Sequence, residues 1–204
     1  MLHFSLGNYV AESFREIPGF VLPIIVVGVF ASRPAMEGMG AYFYIAWTIA
    51  SVVLMISYAT GASLLAESSL DPGRFGANVR RALRFMFLLL IPAIVLVFLL
   101  GDKVLAWFGE GYSEKGFPLL RILTVSGIPV ALNTIFVTQM RIQRKMWPVV
   151  CLYAFVALFT IGVGYALLER MELLGIGVAV SLAVWNLRNS TILQAQLDET
   201  ARQQ

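Results

Sequence analysis

The chain has 204 residues, of which 59% are apolar and 13% charged, with a formal charge of +3. That apolar share lies well above the ~45–50% of soluble domains, which excludes soluble globular, disordered, collagen-like and disulfide-rich classes. At about 20 apolar residues per transmembrane helix, a stock of roughly 120 suffices for six spans. The sequence therefore predicts an all-α polytopic membrane protein whose first partner is the lipid bilayer. The small net charge argues against a nucleic-acid partner, and the lone Cys151 excludes an intrachain disulfide.

The first span is expected at residues 9–31. Glu12, Arg15 and Glu16 precede its apolar stretch, so it reads as a true span rather than a cleavable signal peptide. Asn8, Glu12, Arg15, Glu16, Gly19 and Pro23 fall on one helical stripe. Two readings of that stripe stand. In one it lines a polar cavity, with Arg15 meeting substrate and the clustered acids Glu12 and Glu16 holding a coupling ion. In the other these charges snorkel at the headgroup layer. Pro18 and Pro23 are candidate kinks, as are Pro92 and Pro129 further on.

The second span, 41–65, carries small residues at helical spacing, Ser57/Gly61 and Ala59/Ser63, a packing pattern. After it, Asp71-Pro72 reads as an N-cap and first helical position. That start would lead through Arg80, Arg81 and Arg84 into the third span, 82–100. Arg80, Arg81 and Arg84, together with Arg144, are candidate contacts for an anionic lipid headgroup. Asp102–Phe108 alternates charge with bulky apolar residues, as a short interfacial helix would. In the fourth span, 117–140, Arg121 sits one turn from the end, either facing a ligand or anchoring at the interface. Ser126, Asn133 and Thr134 are polar positions that either line a substrate path or hydrogen-bond neighbouring helices. The fifth span is 147–168 and the sixth 173–193, so residues 1–193 form the expected bundle and 194–204 a polar cytoplasmic tail.

Alternate linkers differ in charge. One side collects ten basic residues, including Arg15, Arg74, Arg141, Lys145 and Arg202, whereas the other holds Arg33, Lys103, Lys115 and Arg170. The positive-inside rule then puts both termini in the cytoplasm of a cell that carries the protein in its cytoplasmic membrane. With one histidine, His3, no zinc-ligand spacing, no phosphate-binding glycine loop and no nucleophile elbow, neither a metal, a cofactor nor an enzyme is expected.

Six segments, FSLGNYV (4–10), IPGFVLPIIV (17–26), AYFYIAW (41–47), NVRRALRFMFLLLIPA (78–93), WFGEGYSEKGFPLLRIL (107–123) and LLGIGVAVSLA (173–183), resemble lipid-linked oligosaccharide flippases. These belong to the polysaccharide-transporter family of the multidrug/oligosaccharidyl-lipid/polysaccharide exporter superfamily. The resemblance implies one six-helix lobe of a transporter with twelve or more helices, opening as its C-terminal lobe does, and a second six-helix lobe as partner. It implies a lipid-pyrophosphate-linked sugar as substrate, flipped by alternating access, with Arg121 matching an arginine common in that helix. Glu12, Arg15 and Glu16, and the polar trio Asn186, Arg188 and Asn189 in the sixth span, depart from the family pattern. Two other functions stay open: a membrane scaffold subunit that transports nothing, and an ion-coupled antiporter of the same superfamily. For orientation, a cysteine introduced at Ser113 is expected to react with a membrane-impermeant maleimide added outside intact cells. Protection of that thiol would reverse the assignment.

Overall fold

A computed structural model describes residues 2–30, 38–109, 111–171 and 173–184. Among these residues there is no strand, and the chain is an all-α polytopic membrane protein. The helices are α1 (Leu2–Phe30), α2 (Met39–Leu70), α3 (Phe75–Ala106), α4 (Phe117–Val125), α5 (Gly127–Ile142) and α6 (Met146–Met171), followed by the shorter α7 (Leu173–Val184). Within the described residues five segments are long and apolar enough to cross a bilayer, with α4 and α5 together making one of them. The remainder of the expected sixth span, including Asn186, Arg188 and Asn189, and the tail 194–204 lie outside the described residues, as does Arg33.

The helices exceed the apolar windows because a started helix gains a hydrogen bond for each residue added. At 1.5 Å per residue, α2 and α3 with 32 residues each are about 48 Å long, more than the ~30 Å hydrocarbon core. Asp71 caps the C-terminus of α2 rather than the N-terminus of α3. Pro72–Arg74 makes a 3₁₀ turn, tied by Arg74 N–H donating to the Asp71 carbonyl at 3.2 Å. No separate interfacial helix forms at Asp102–Phe108, because α3 continues unbroken to Ala106. Gly101, the weakest helix former at that point, is buried against Phe117 and Leu120. Tyr112–Gly116 then forms a π-helical turn leading into α4.

The expected fourth span divides at Ser126, three residues before Pro129. The 4-residue ladder continues on both sides, with Ser126 N–H to Ile122 and Val130 N–H to Ser126 at 3.1 Å each. Proline offers no N–H to the carbonyl four residues back, so the interruption falls where one hydrogen bond is chemically impossible. Pro18 and Pro23 lie inside α1, and Pro92 inside α3.

α2 is the hub, touching α1, α3, α4 and α5, while α6 lies along α1. The main core joins Leu22 and Val26 of α1, Phe43 and Ala46 of α2, Leu119 and Leu123 of α4, Leu168 of α6 and Ile176 of α7. Smaller clusters join Ala11, Val137 and Val149, and Val53, Met86 and Ala131. α7 turns back on α6 so tightly that a Cβ on Gly175 would lie 2.7 Å from the Leu167 backbone. α5 ends in a Schellman turn, with Lys145 N–H donating to Met140 O and Arg144 N–H to Arg141 O at 2.9 and 3.0 Å. Arg144 holds the left-handed position of that turn, φ 57°, usually glycine's.

α2 and α5 approach each other closely at Gly61. A Cβ at residue 61 would overlap the Thr134 methyl group, and Ser57 one turn earlier is fully buried. Gly61→Ala is therefore expected to destabilise the protein by about 1–3 kcal/mol, the usual cost of overpacking, seen as a lower thermal midpoint in detergent. Adding Thr134→Ser, which removes the methyl, should recover most of the loss. An unchanged midpoint in Gly61→Ala alone would refute the close approach.

Candidate functional site

α1 presents Glu12, Arg15 and Glu16 on successive turns, a consequence of the 3.6-residue repeat. Arg15 Nε lies 2.6 Å from Glu12 Oε2, close enough for an ion pair but without hydrogen-bond alignment. Its Nη2 lies 2.6 Å from Glu16 Oε1. The other oxygen of Glu12 accepts a hydrogen bond from Arg141 Nη2, in the last turn of α5. The Arg15 guanidinium also stacks over the Tyr58 ring of α2 at 4.8 Å. Two carboxylates and two guanidinium groups, drawn from helices 129 residues apart in sequence, thus form one network.

A Cβ on Gly7 would meet Met146 Cβ, which sets that turn of α1 level with the start of α6. Glu12 lies five residues further along, about 7 Å deeper into the bundle. Ala11 beside it is fully buried with Val149 and Leu152. At such a depth an isolated charge is expensive, and pairing is the usual solution. The network is electrically balanced, so it holds α1, α2 and α5 together without carrying a net charge. A ligand anion entering here would have to exchange places with a carboxylate.

Arg141 and Tyr58 were missed as partners by sequence reasoning, which counted Arg141 only among the basic residues that set topology. The available clue was helix periodicity, since Thr134, Thr138 and Arg141 follow at i, i+4 and i+7 and Thr138 lies beside α2, its hydroxyl 3.5 Å from Gly61 O.

The other candidates are dispersed. Arg121 is exposed on α4, its guanidinium between the rings of Phe117 at 4.1 Å and Phe98 at 5.3 Å. Asn133 is buried and donates to Val184 O at 3.2 Å, joining α5 to α7. Ser126, at the break between α4 and α5, donates to Leu123 O of α4 at 2.6 Å, and Thr134 donates to Val130 O of its own helix at 2.9 Å. Pro18 and Pro129 are buried, Pro23 is half-buried and Pro92 exposed. Arg80, Arg81 and Arg84 are exposed and lie on a groove of about 1080 Å³ between α2 and α3, whereas Arg144 is exposed in the α5–α6 turn. Among the described residues no three histidine, cysteine, aspartate or glutamate side chains converge as a metal site would require.

Against known proteins, the chain is 28% identical over 115 residues to a Shigella flexneri protein named "Putative O-antigen transporter". The likeness is to a protein named as a transporter. It covers 56% of this chain but only 28% of the relative, so the matched region spans little more than a quarter of that protein's length. No family model matches the chain, and no solved structure matches it.

The network's worth is measurable. The side chains of Glu12 and Arg141 are 32% and 19% exposed, against 55% and 80% for the Asp71–Arg74 pair. A double-mutant cycle of Glu12→Gln and Arg141→Gln is expected to give a coupling energy of about 1–3 kcal/mol. The same cycle at Asp71 and Arg74 should give about 0–1 kcal/mol. Additive single effects at Glu12 and Arg141 would show that they do not interact.

Proposed function

We propose that this chain is one lobe of a flippase that carries a lipid-linked oligosaccharide across the cytoplasmic membrane by alternating access. In this reading residues 1–193 form the six-helix lobe and both termini are cytoplasmic. The observation that carries it is the likeness to a protein named as an O-antigen transporter, in a chain whose apolar helices make it polytopic. Since most of the relative lies outside the match, a second lobe has ample room there.

The charged network suits such a cycle. Guanidinium groups bind phosphate oxygens bidentately, and both arginines are already held by carboxylates. A pyrophosphate headgroup would take Arg15 and Arg141 from Glu12 and Glu16, freeing α1 from α5. The same release occurs when an ion neutralises a carboxylate, which is how Glu12 and Glu16 would couple the cycle to a gradient. Pro18 and Pro23 leave α1 short of backbone hydrogen bonds just beyond the network, where a rocking helix would bend. Arg121 would act at the other end of the path, its charge placed by Phe98 and Phe117.

The scaffold reading draws on Asn133, which spends its hydrogen bond on a contact between α5 and α7. One experiment separates the two. The chain is reconstituted in vesicles with and without a co-encoded six-helix partner, and a fluorescent polyprenyl-pyrophosphate sugar is followed between leaflets. Flipping is expected with the partner, reduced at least tenfold by Arg15→Gln combined with Arg141→Gln. No movement in either case, with both lobes folded, overturns transport in favour of the scaffold. Export that survives Arg121→Ala but falls with Arg121→Glu is expected if that residue acts by charge placement.

A further inference from the structure

The groove between α2 and α3 has no part in the charged network, to which α3 contributes nothing. It uses a different side of α2 from the one packed on α5. Ser57 and Gly61 meet α5, while Ala59 and Ser63, two residues on and so about 200° around the helix, line the groove and are exposed.

Its two ends differ in chemistry. One is apolar, walled by Val52 and Met55 of α2 and by Phe85, Leu88 and Leu89 of α3. At the other end Glu67 and Ser63 face Asn78, Arg80, Arg81 and Arg84. The antiparallel register is fixed there by Asn78 Nδ2 donating to Ser68 Oγ at 3.4 Å. Among the described residues none of the three arginines has an ion-pair partner, so three guanidinium groups outnumber the single carboxylate of the lining. From Glu67 to Val52 the groove runs along fifteen residues of α2, about 22 Å. That is somewhat more than the ~15 Å depth of one leaflet's hydrocarbon. A charged end of guanidinium donors continued by an apolar channel of this length is complementary to one kind of molecule, a phosphate headgroup with its acyl chain.

We propose that the α2–α3 groove binds an anionic membrane phospholipid, whose phosphate is held by Arg80, Arg81 and Arg84 and whose acyl chain lies along Val52, Met55 and Leu88. Arginine suits the headgroup because its fork matches phosphate oxygens, and basic pockets between membrane helices are where such headgroups dock. The inference stands on the groove alone and does not require that the protein flip a sugar.

The test uses the full chain in nanodiscs of phosphatidylcholine, titrated with spin-labelled phosphatidylglycerol and read as the motionally restricted fraction. Saturable binding is expected, weakened at least tenfold by Arg80→Gln/Arg81→Gln/Arg84→Gln. A matched set, Arg74→Gln/Lys103→Gln/Lys145→Gln, removes equal charge outside the groove and should leave affinity within twofold. Ala59→Trp, at an exposed lining position, should block the channel and abolish binding while α-helical content and monodispersity are retained. Equal losses in the two triple variants would reduce the effect to general charge attraction and overturn the proposal, as would full binding to Ala59→Trp. Displacement of phosphatidylglycerol by a tenfold lower concentration of undecaprenyl pyrophosphate would also overturn it, assigning the groove to a cargo lipid.

Discussion

α2 is the helix on which α1, α3, α4 and α5 all pack, and the line along which it touches α5 depends on one missing side chain. A residue without a side chain, Gly61, admits the methyl and hydroxyl groups of α5 between two helical backbones. Lipid tails are as apolar as leucine, so helices in a bilayer gain little from burying apolar area against each other and must gain by fitting closely. Once α5 is fixed on that side of α2, α3 takes another side and α1 brings α6 with it. The charged network and the arginine-ended groove then fall on separate flanks of the same helix.

The existence of the helices was legible because long apolar windows and chain length decide it. Their ends were less so. α3 swallowed the segment Asp102–Ala106, which alternation alone had set apart, since nothing there costs enough to stop a helix already formed. Asp71 went to the end of α2, because a cap residue can serve either neighbour and only packing chooses. Pro129 is the opposite case: a missing N–H is a chemical fact of the residue, and the interruption falls at Ser126, one turn before it.

The candidate site was half legible. The stripe Glu12–Arg15–Glu16 comes from helix periodicity, and those side chains do pair as neighbours. Arg141 does not, because no local rule joins residues 129 apart. Polar residues within spans are ambiguous for a related reason. Asn133 and Thr138 look the same in sequence whether they face a ligand or a backbone carbonyl; here Asn133 donates to a carbonyl of α7, and Thr138 donates to Thr134 O one turn back at 2.8 Å while lying 3.5 Å from Gly61 O of α2.

α3 packs on α2, α4 and α5 yet leaves most of its surface outside the bundle. Its buried positions are Met86, Leu90, Gly101 and Leu105 alone, while Leu88, Ile91, Leu96 and Leu99 are exposed. Its tilt is set by the helices it packs on and by the arginines of its first turns, which lie outside the apolar stretch of its 32 residues. The exposed leucines are covered by acyl chains instead of protein. Any detergent that extracts the protein therefore has to stand in for those chains along α3.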